Sequence, residues 1–182
     1  RWEAEREQYE QVLREALEPL ADECHLLCNF NIPGYPRPAG QEYTSNLDMA
    51  VLRNNQLVIL ELKNYRGTLS YGDGGPWYCD CADGNRIEVK GGRDDRTPYG
   101  QISDYRNQIT TLIATNATRF LRKRNQPFDF RRFVSCVIVF PDSKSGDGDH
   151  AEFKSDCRYW LKVLRLRGLA EAVCQFADGI QR

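Results

Sequence analysis

Apolar positions recur along this chain with two different periods, and the periods divide it into elements. From Trp2 to Leu20, Tyr9, Val12, Leu13, Ala16, Leu17 and Leu20 fall at helical spacing among Glu and Arg residues, which predicts a helix. His25 to Ile32 is a short apolar segment that reads as a strand, and Pro33 to Gly40, with its prolines and glycines, reads as a loop. Leu47 to Leu52 and Leu57 to Lys63 are apolar runs separated by Arg53-Asn54-Asn55-Gln56. Asn tolerates the left-handed backbone that tight hairpin turns need, so the two runs are read as a β-hairpin. Thr68 to Tyr71, Trp77 to Cys81 and Arg86 to Val89 read as further short strands, and Gly91 to Arg96 as a polar loop.

A second helix is expected from Thr97-Pro98, because Thr is a good N-cap and Pro suits the first helical position. Ile102, Tyr105, Ile109, Leu112, Ile113, Asn116 and Phe120 then make a mostly apolar stripe. The valine-rich run Phe133 to Phe140 reads as a buried strand, and Ser143 to His150 as a glycine-rich acidic loop. Cys157 to Leu166 and Leu169 to Ile180 are expected to be helical. The order of helix, hairpin, helix, strand and helix predicts an α/β fold with a mixed sheet, in one domain spanning residues 1–182.

The hairpin carries the candidate chemistry. If Asn54-Asn55 is the turn, paired residue numbers sum to 109 and Asp48 falls opposite Glu61. Directly paired residues share a sheet face, with Cβ atoms about 4.5–5.5 Å apart. Lys63 lies two residues further along the same face. The opposite face collects Leu47, Met49, Val51, Val58, Leu60 and Leu62, all apolar. Two opposed carboxylates destabilise a sheet unless a cation lies between them. Mg²⁺ suits such a place, since it takes one or two carboxylates together with water and phosphate oxygens. A lysine beside it orients or deprotonates a water, or offsets transition-state charge on a phosphate, which together make up the means for phosphodiester hydrolysis. The competing reading is an exposed salt bridge of Lys63 with Glu61 or Asp48 on a solvated face.

These residues resemble the PD-(D/E)XK nuclease superfamily, and more closely its nuclease-related domain family. The resemblance rests on Asn46-Leu47-Asp48, on Val58 to Gly67 with its Glu-x-Lys-Asn-Tyr-x-Gly run, on Trp77, on Thr97-Pro98-Tyr99-Gly100-Gln101, and on Val137 to Phe140. It implies a restriction-endonuclease-like mixed β-sheet core flanked by helices, and a Mg²⁺- or Mn²⁺-dependent nuclease acting on nucleic acid, DNA above all. It makes Asp48, Glu61 and the carbonyl of Leu62 the metal ligands, Lys63 the catalytic lysine and Gln101 an accessory polar residue. Glu10 is its first-helix glutamate, with Glu7 as the rival. The alternative function is a nucleic-acid-binding or regulatory module that keeps the nuclease fold and cleaves little. Gln101 also stands alone as a group near a helix N-terminus, where backbone N–H groups favour phosphate, or as an ordinary exposed glutamine.

Composition narrows the picture little. The 182 residues are 41% hydrophobic and 28% charged, and 25 basic residues against 26 acidic ones leave a net charge of −1. That balance advertises no attraction to nucleic acid or membranes, although Arg119, Arg122, Lys123, Arg124, Arg131 and Arg132 cluster as a local patch that a nucleic-acid backbone or plain solvent would suit. Trp77, Tyr99 and Tyr105 are candidates for base stacking, with burial in the core as the commoner fate. No membrane span or signal peptide is visible, so a cytoplasmic location is expected. The first residue is Arg, which suggests a piece of a larger multidomain protein. His25 and His150 stand isolated. The seven cysteines include Cys24-x3-Cys28 and Cys79-x-Cys81, spacings unlike the usual zinc motifs. Metal analysis of protein purified without added zinc is therefore expected to find no stoichiometric zinc; one equivalent would overturn the reading of these residues as free thiols.

Overall fold

The computed structural model describes residues 2–34, 44–92, 95–120, 129–142, 149–154, 157 and 159–179. Helix α1 (Trp2–Leu17) tightens into a 3-10 turn at Glu18–Leu20, where Pro19 has no N–H to continue the α-helical ladder. Strands β1 (His25–Pro33), β2 (Thr44–Arg53) and β3 (Gln56–Leu62) follow, then β4 (Thr68–Gly72), β5 (Trp77–Asp80) and β6 (Arg86–Val89). Helix α2 (Pro98–Phe120) leads to β7 (Val134–Phe140), β8 (His150–Glu152), β9 (Leu161–Arg165) and helix α3 (Leu169–Gly179). Thr97 caps α2 as its sequence predicts: its hydroxyl accepts from the Gly100 N–H at 3.1 Å. Among the described residues, no helix is long and apolar enough to cross a membrane.

Five strands form one sheet in the order β1-β2-β3-β7-β9. The β1–β2 and β2–β3 pairs are antiparallel, and β3–β7 and β7–β9 are parallel. A second sheet has the order β6-β5-β4-β8. Two apolar clusters lie on the two sides of the main sheet. Leu13 and Leu17 of α1 and Leu169, Val173 and Phe176 of α3 pack with Met49, Val51, Val58, Leu60 and Leu62. Ile102, Tyr105 and Ile109 of α2 pack with Ile59, Cys136 and Ile138, joined by Leu69, Trp77 and Val89 of the second sheet. All seven residues of β7 are buried, as its valine-rich run predicts for a strand covered on both faces. The result is the restriction-endonuclease-like α/β architecture, a mixed sheet between helical layers.

The hairpin register is the predicted one. Asn54 sits at φ +53°, Arg53 pairs with Gln56, and the ladder runs back in that register to Met49 and Leu60. Beyond that pair the expectation fails for Leu47. It packs in the α2-side cluster, apart from Met49 and Val51. The cause lies in the β1–β2 ribbon, whose pairing passes from Cys28–Met49 to Phe30–Leu47 with Asn29 at φ +52° between them. The partners of Met49 and Leu47 divide in the same way, Cys28 lying against the α1-side cluster and Phe30 against the other. Simple period-two alternation does not survive such a break.

Two segments differ from their sequence reading. Cys157 to Leu166 was expected to be helical, but Leu161–Arg165 forms β9, parallel to β7. Leu161, Val163 and Leu164 fit either period, and the unpaired edge of β7 decides between them by supplying the ladder. His150 belongs to β8, not to the preceding loop; its three exposed residues carry no hydrophobic alternation that could reveal a strand. Residues 35–40 of the proline-rich loop, 93–94 of the polar loop, 143–148 of the acidic loop and 180 of the last helix lie outside the described residues.

Because the register depends on a left-handed Asn54, Asn54→Gly is expected to leave the urea midpoint nearly unchanged, while Asn54→Val lowers stability by about 1–2 kcal/mol. Equal midpoints for the two variants would show that the turn does not set the register.

Candidate active site

Strand β3 is an apolar strand that ends in charge. Every residue from Val58 to Leu62 is buried, and the carboxylate of Glu61 is buried among them at 5% exposure. Lys63, 8% exposed, donates from Nζ to Glu61 Oε1 at 2.8 Å and to Gln101 Oε1 at 2.7 Å. Gln101, 7% exposed, donates from Nε2 to the Tyr105 hydroxyl at 2.8 Å. A continuous buried chain of polar groups thus runs from β3 into α2. Its polarity is set throughout, since an ammonium only donates and must face the amide oxygen of Gln101. The reading of Lys63 as part of an exposed salt bridge on a solvated face is overturned by this burial, as is that of Gln101 as a solvent-facing glutamine.

Local backbone features hold these groups. The Lys63 N–H donates to Val139 O at 2.8 Å, extending the β3–β7 ladder one residue past the strand. Gln101 enters α2 through its N–H bond to Thr97 O at 3.0 Å. The loop before α2 closes tightly on that turn. A Cβ on Gly91 would lie 2.1 Å from Thr97 O, so only glycine fits, and a Cβ on Gly92 would lie 3.5 Å from Gln101 Nε2. Arg96 pairs with Asp104 one turn further along the helix.

Asp48 lies one residue beyond the last β2–β3 ladder pair, Met49–Leu60, so the expected direct Asp48–Glu61 pairing is not part of the ladder. Its Oδ2 accepts the N–H of Leu62 at 3.2 Å, taking the place of a main-chain acceptor from β2. In an extended strand the N–H and C=O of one residue leave by the same edge. The Leu62 carbonyl therefore projects toward β2, on the edge where Asp48 sits. Asp48, Glu61 and that carbonyl offer hard oxygen donors of the kind Mg²⁺ or Mn²⁺ takes, with places left for water and phosphate. The donor chemistry fits such an ion.

Glu10 is placed differently. Helix α1 packs on the side of the sheet away from α2. The Glu10 carboxylate accepts from Arg14 at 2.8 Å, and Asn29 Nδ2 lies 3.5 Å from its other oxygen. Glu7, the rival, is exposed. Among the described residues, no group of three or more His, Cys, Asp or Glu side chains is arranged to hold a metal ion, so Glu10 does not complete a three-carboxylate cluster with Asp48 and Glu61.

Other candidates separate from the site. Trp77 is buried, with Nε1 donating to Gly72 O at 2.6 Å, and Tyr105 is buried against α2's own neighbours; neither offers a face for stacking. Tyr99 is partly buried beside Cys157, and that burial pushes its hydroxyl up to about 12. Cys24 and Cys28 pack against the α1-side cluster, while Cys79 and Cys81 pack in the α2-side cluster, so the two pairs do not converge. Burial, with Cys81 alongside, pushes the Cys79 thiol up to about 11, against thiolate chemistry there. His25 and His150 are exposed. Of the basic patch, Arg119, Arg131 and Arg132 are exposed, and residues 122–124 lie outside the described residues. Arg119 is 18 positions beyond Gln101 on one helix, about 27 Å at 1.5 Å per residue. Arg119 and Lys63 are therefore too far apart to touch the same phosphate.

The sequence missed two polar groups. The sequence places Tyr105 in the apolar stripe and along Gln101's side of the helix, and their i,i+4 spacing is the signal for the hydrogen bond that the stripe alone does not reveal. Arg106 gave none: it is buried, donates to Val134 O at 2.8 Å and Arg131 O at 2.7 Å, and lies 4.7 Å from the Trp160 ring centre.

A family model described as nuclease-related domain matches residues 2–141. No curated protein and no solved structure matches the chain.

Lys63→Met should lower stability by about 3–5 kcal/mol, read as a shift of the urea midpoint, because it strands the buried Glu61 carboxylate. Glu61→Gln combined with Lys63→Met should recover most of that loss. A double variant no more stable than the single one would show that the pairing is not what Lys63 contributes.

Proposed function

The chain belongs to the nuclease-related domain family, and on that premise we propose that it is a Mg²⁺- or Mn²⁺-dependent nuclease domain that hydrolyses phosphodiester bonds of nucleic acid, with DNA as its substrate. The observation that carries the reading is the buried Glu61–Lys63–Gln101 chain at the end of an apolar strand, with Asp48 bonded to Leu62 beside it. Burying an ion pair is seldom worth more to stability than apolar residues of the same volume. A site that keeps one is therefore a candidate for chemistry.

Asp48, Glu61 and the Leu62 carbonyl would hold the ion. When bound, it supplies Lewis-acid polarisation of a phosphoryl oxygen and makes water more acidic. Lys63 holds the attacking water by a hydrogen bond and offsets negative charge that grows on the phosphoryl oxygens. Gln101 keeps the ammonium from turning away, and Tyr105 keeps the Gln101 amide from flipping. The water attacks phosphorus and gives up one proton to solvent, the phosphodiester P–O bond breaks, and the leaving oxygen takes up a proton from solvent. Arg119, Arg131 and Arg132 would meet the nucleic-acid backbone several nucleotides from the cleaved bond.

One observation favours the second reading, a binding module with little cleavage: Glu10 is engaged by Arg14 and leaves the site with two carboxylates. The two readings part in one experiment. Plasmid and single-stranded DNA are incubated with Mg²⁺, Mn²⁺ or EDTA, with Glu61→Gln and Lys63→Ala as variants. Metal-dependent cleavage that drops about a hundredfold or more in either variant supports the nuclease. Binding without cleavage in every metal supports the module. Equal cleavage by the wild type and both variants would sink the site assignment.

A further inference from the structure

The family match ends at residue 141, yet the end of β3 is held from beyond it. Leu62 pairs with Val139, and the Lys63 N–H continues that register to Val139 O. Phe140 pairs with Arg165 of β9. Lys63, Phe140 and Arg165 thus occupy one row across the carboxyl ends of three parallel strands, the end of an open α/β sheet where ligands bind. The Arg165 side chain is nearly buried. Its Nη2 donates to Gly67 O at 2.6 Å and to Asp149 Oδ1 at 2.7 Å, and its Nη1 lies 3.3 Å from Pro141 O. Asp149 Oδ1 also accepts the Leu69 N–H at 2.9 Å.

Gly67 ends the four-residue exit from Lys63. The first part of that exit is tight, with Tyr65 N–H donating to Lys63 O at 2.8 Å. Its far end is clamped from two sides. A Cβ on Gly67 would lie 2.2 Å from Asp80 O, so β5 packs directly on its α-carbon, while Arg165 holds its carbonyl. A lysine ammonium rides on a flexible four-carbon stem, and its place between Glu61 and Gln101 depends on where its backbone is fixed. We infer that Arg165 is a positioning residue for Lys63: its guanidinium fork locks the Lys63–Gly67 turn and so holds the Lys63 ammonium in its buried pairing. The positioning role in catalysis rests on the nuclease reading, while the lock itself does not.

Arginine is required because one planar fork reaches the Gly67 carbonyl, the Pro141 carbonyl and the Asp149 carboxylate together, which a lysine cannot. In Arg165→Lys, acetic anhydride should modify Lys63 about tenfold faster, the loss of one hydrogen bond from a charged donor. Half-buried Lys90, ion-paired with Glu88 and Asp95, serves as the control and should not change. In the wild type under mild denaturant, the amides of Tyr65 to Gly67 should open together with those of Val163 to Arg165, which needs no variant to fold. In cleavage assays of Arg165→Lys, kcat should fall about tenfold with KM within about twofold. Unchanged Lys63 labelling, or a turn that opens independently of β9, would overturn the inference. So would faster labelling with an unchanged kcat. Should the wild type cleave nothing, the nuclease reading fails by itself, and labelling and amide exchange still decide the role of Arg165.

Discussion

Glu61 and Lys63 are two opposite charges placed at the end of an apolar strand, and removing each from water costs on the order of several kcal/mol before their attraction is counted. Much of the surrounding structure answers that cost. The ammonium is shared between Glu61 and Gln101, Gln101 is held by Tyr105, and all four side chains are buried. Helix α2 must therefore start where it does, with Thr97 as its cap and a glycine loop thin enough to close over Gln101. The turn beyond Lys63 must be equally fixed, which is the part played by Asp80, Gly67 and Arg165.

The sheet delivers these groups through its pairing. The tight turn at Asn54 sets the β2–β3 register, and parallel pairing with β7 carries the same row past Leu62. Where the β2–β3 ladder stops, the Asp48 carboxylate takes over the hydrogen bond of Leu62. This substitution brings a carboxylate to the edge that carries the Leu62 carbonyl. It is also where the β1–β2 ribbon breaks its alternation, with Asn29 left-handed across from Asp48. The break sends Leu47 to the opposite core and lets Asp48 leave the regular ladder.

The core does not stop where the family match stops. Leu169, Val173 and Phe176 of α3 complete the cluster that begins with Leu13 and Leu17 of α1, and Leu161 of β9 joins the other. Residues beyond 141 supply a strand of the hairpin's own sheet, β9, which covers the outer edge that β7 would otherwise leave unpaired.

The sequence by itself determined whatever depends on neighbours along the chain. The cap at Thr97, the turn at Asn54, the buried run of β7 and the shared register of β2 and β3 all follow from local backbone preference and from the period of apolar residues. Asp48, Glu61 and Lys63 stood out because charged residues were set at the end of an apolar hairpin, and Gln101 because it falls in a motif that resembles the nuclease-related family. Tertiary structure decided the rest, because those outcomes depend on partners far away in sequence. Leu161 to Arg165 became a strand only because β7 offered an open edge, and no periodicity of its own could say so. Glu10 turned to Arg14 and Asn29 because α1 packs on the side of the sheet opposite α2, a choice the pattern along one helix does not contain. The burial of Lys63 was likewise decided in three dimensions. A Glu-x-Lys pair reads the same in solvent and in a core, and only the arrival of α2 and its loop removed the water.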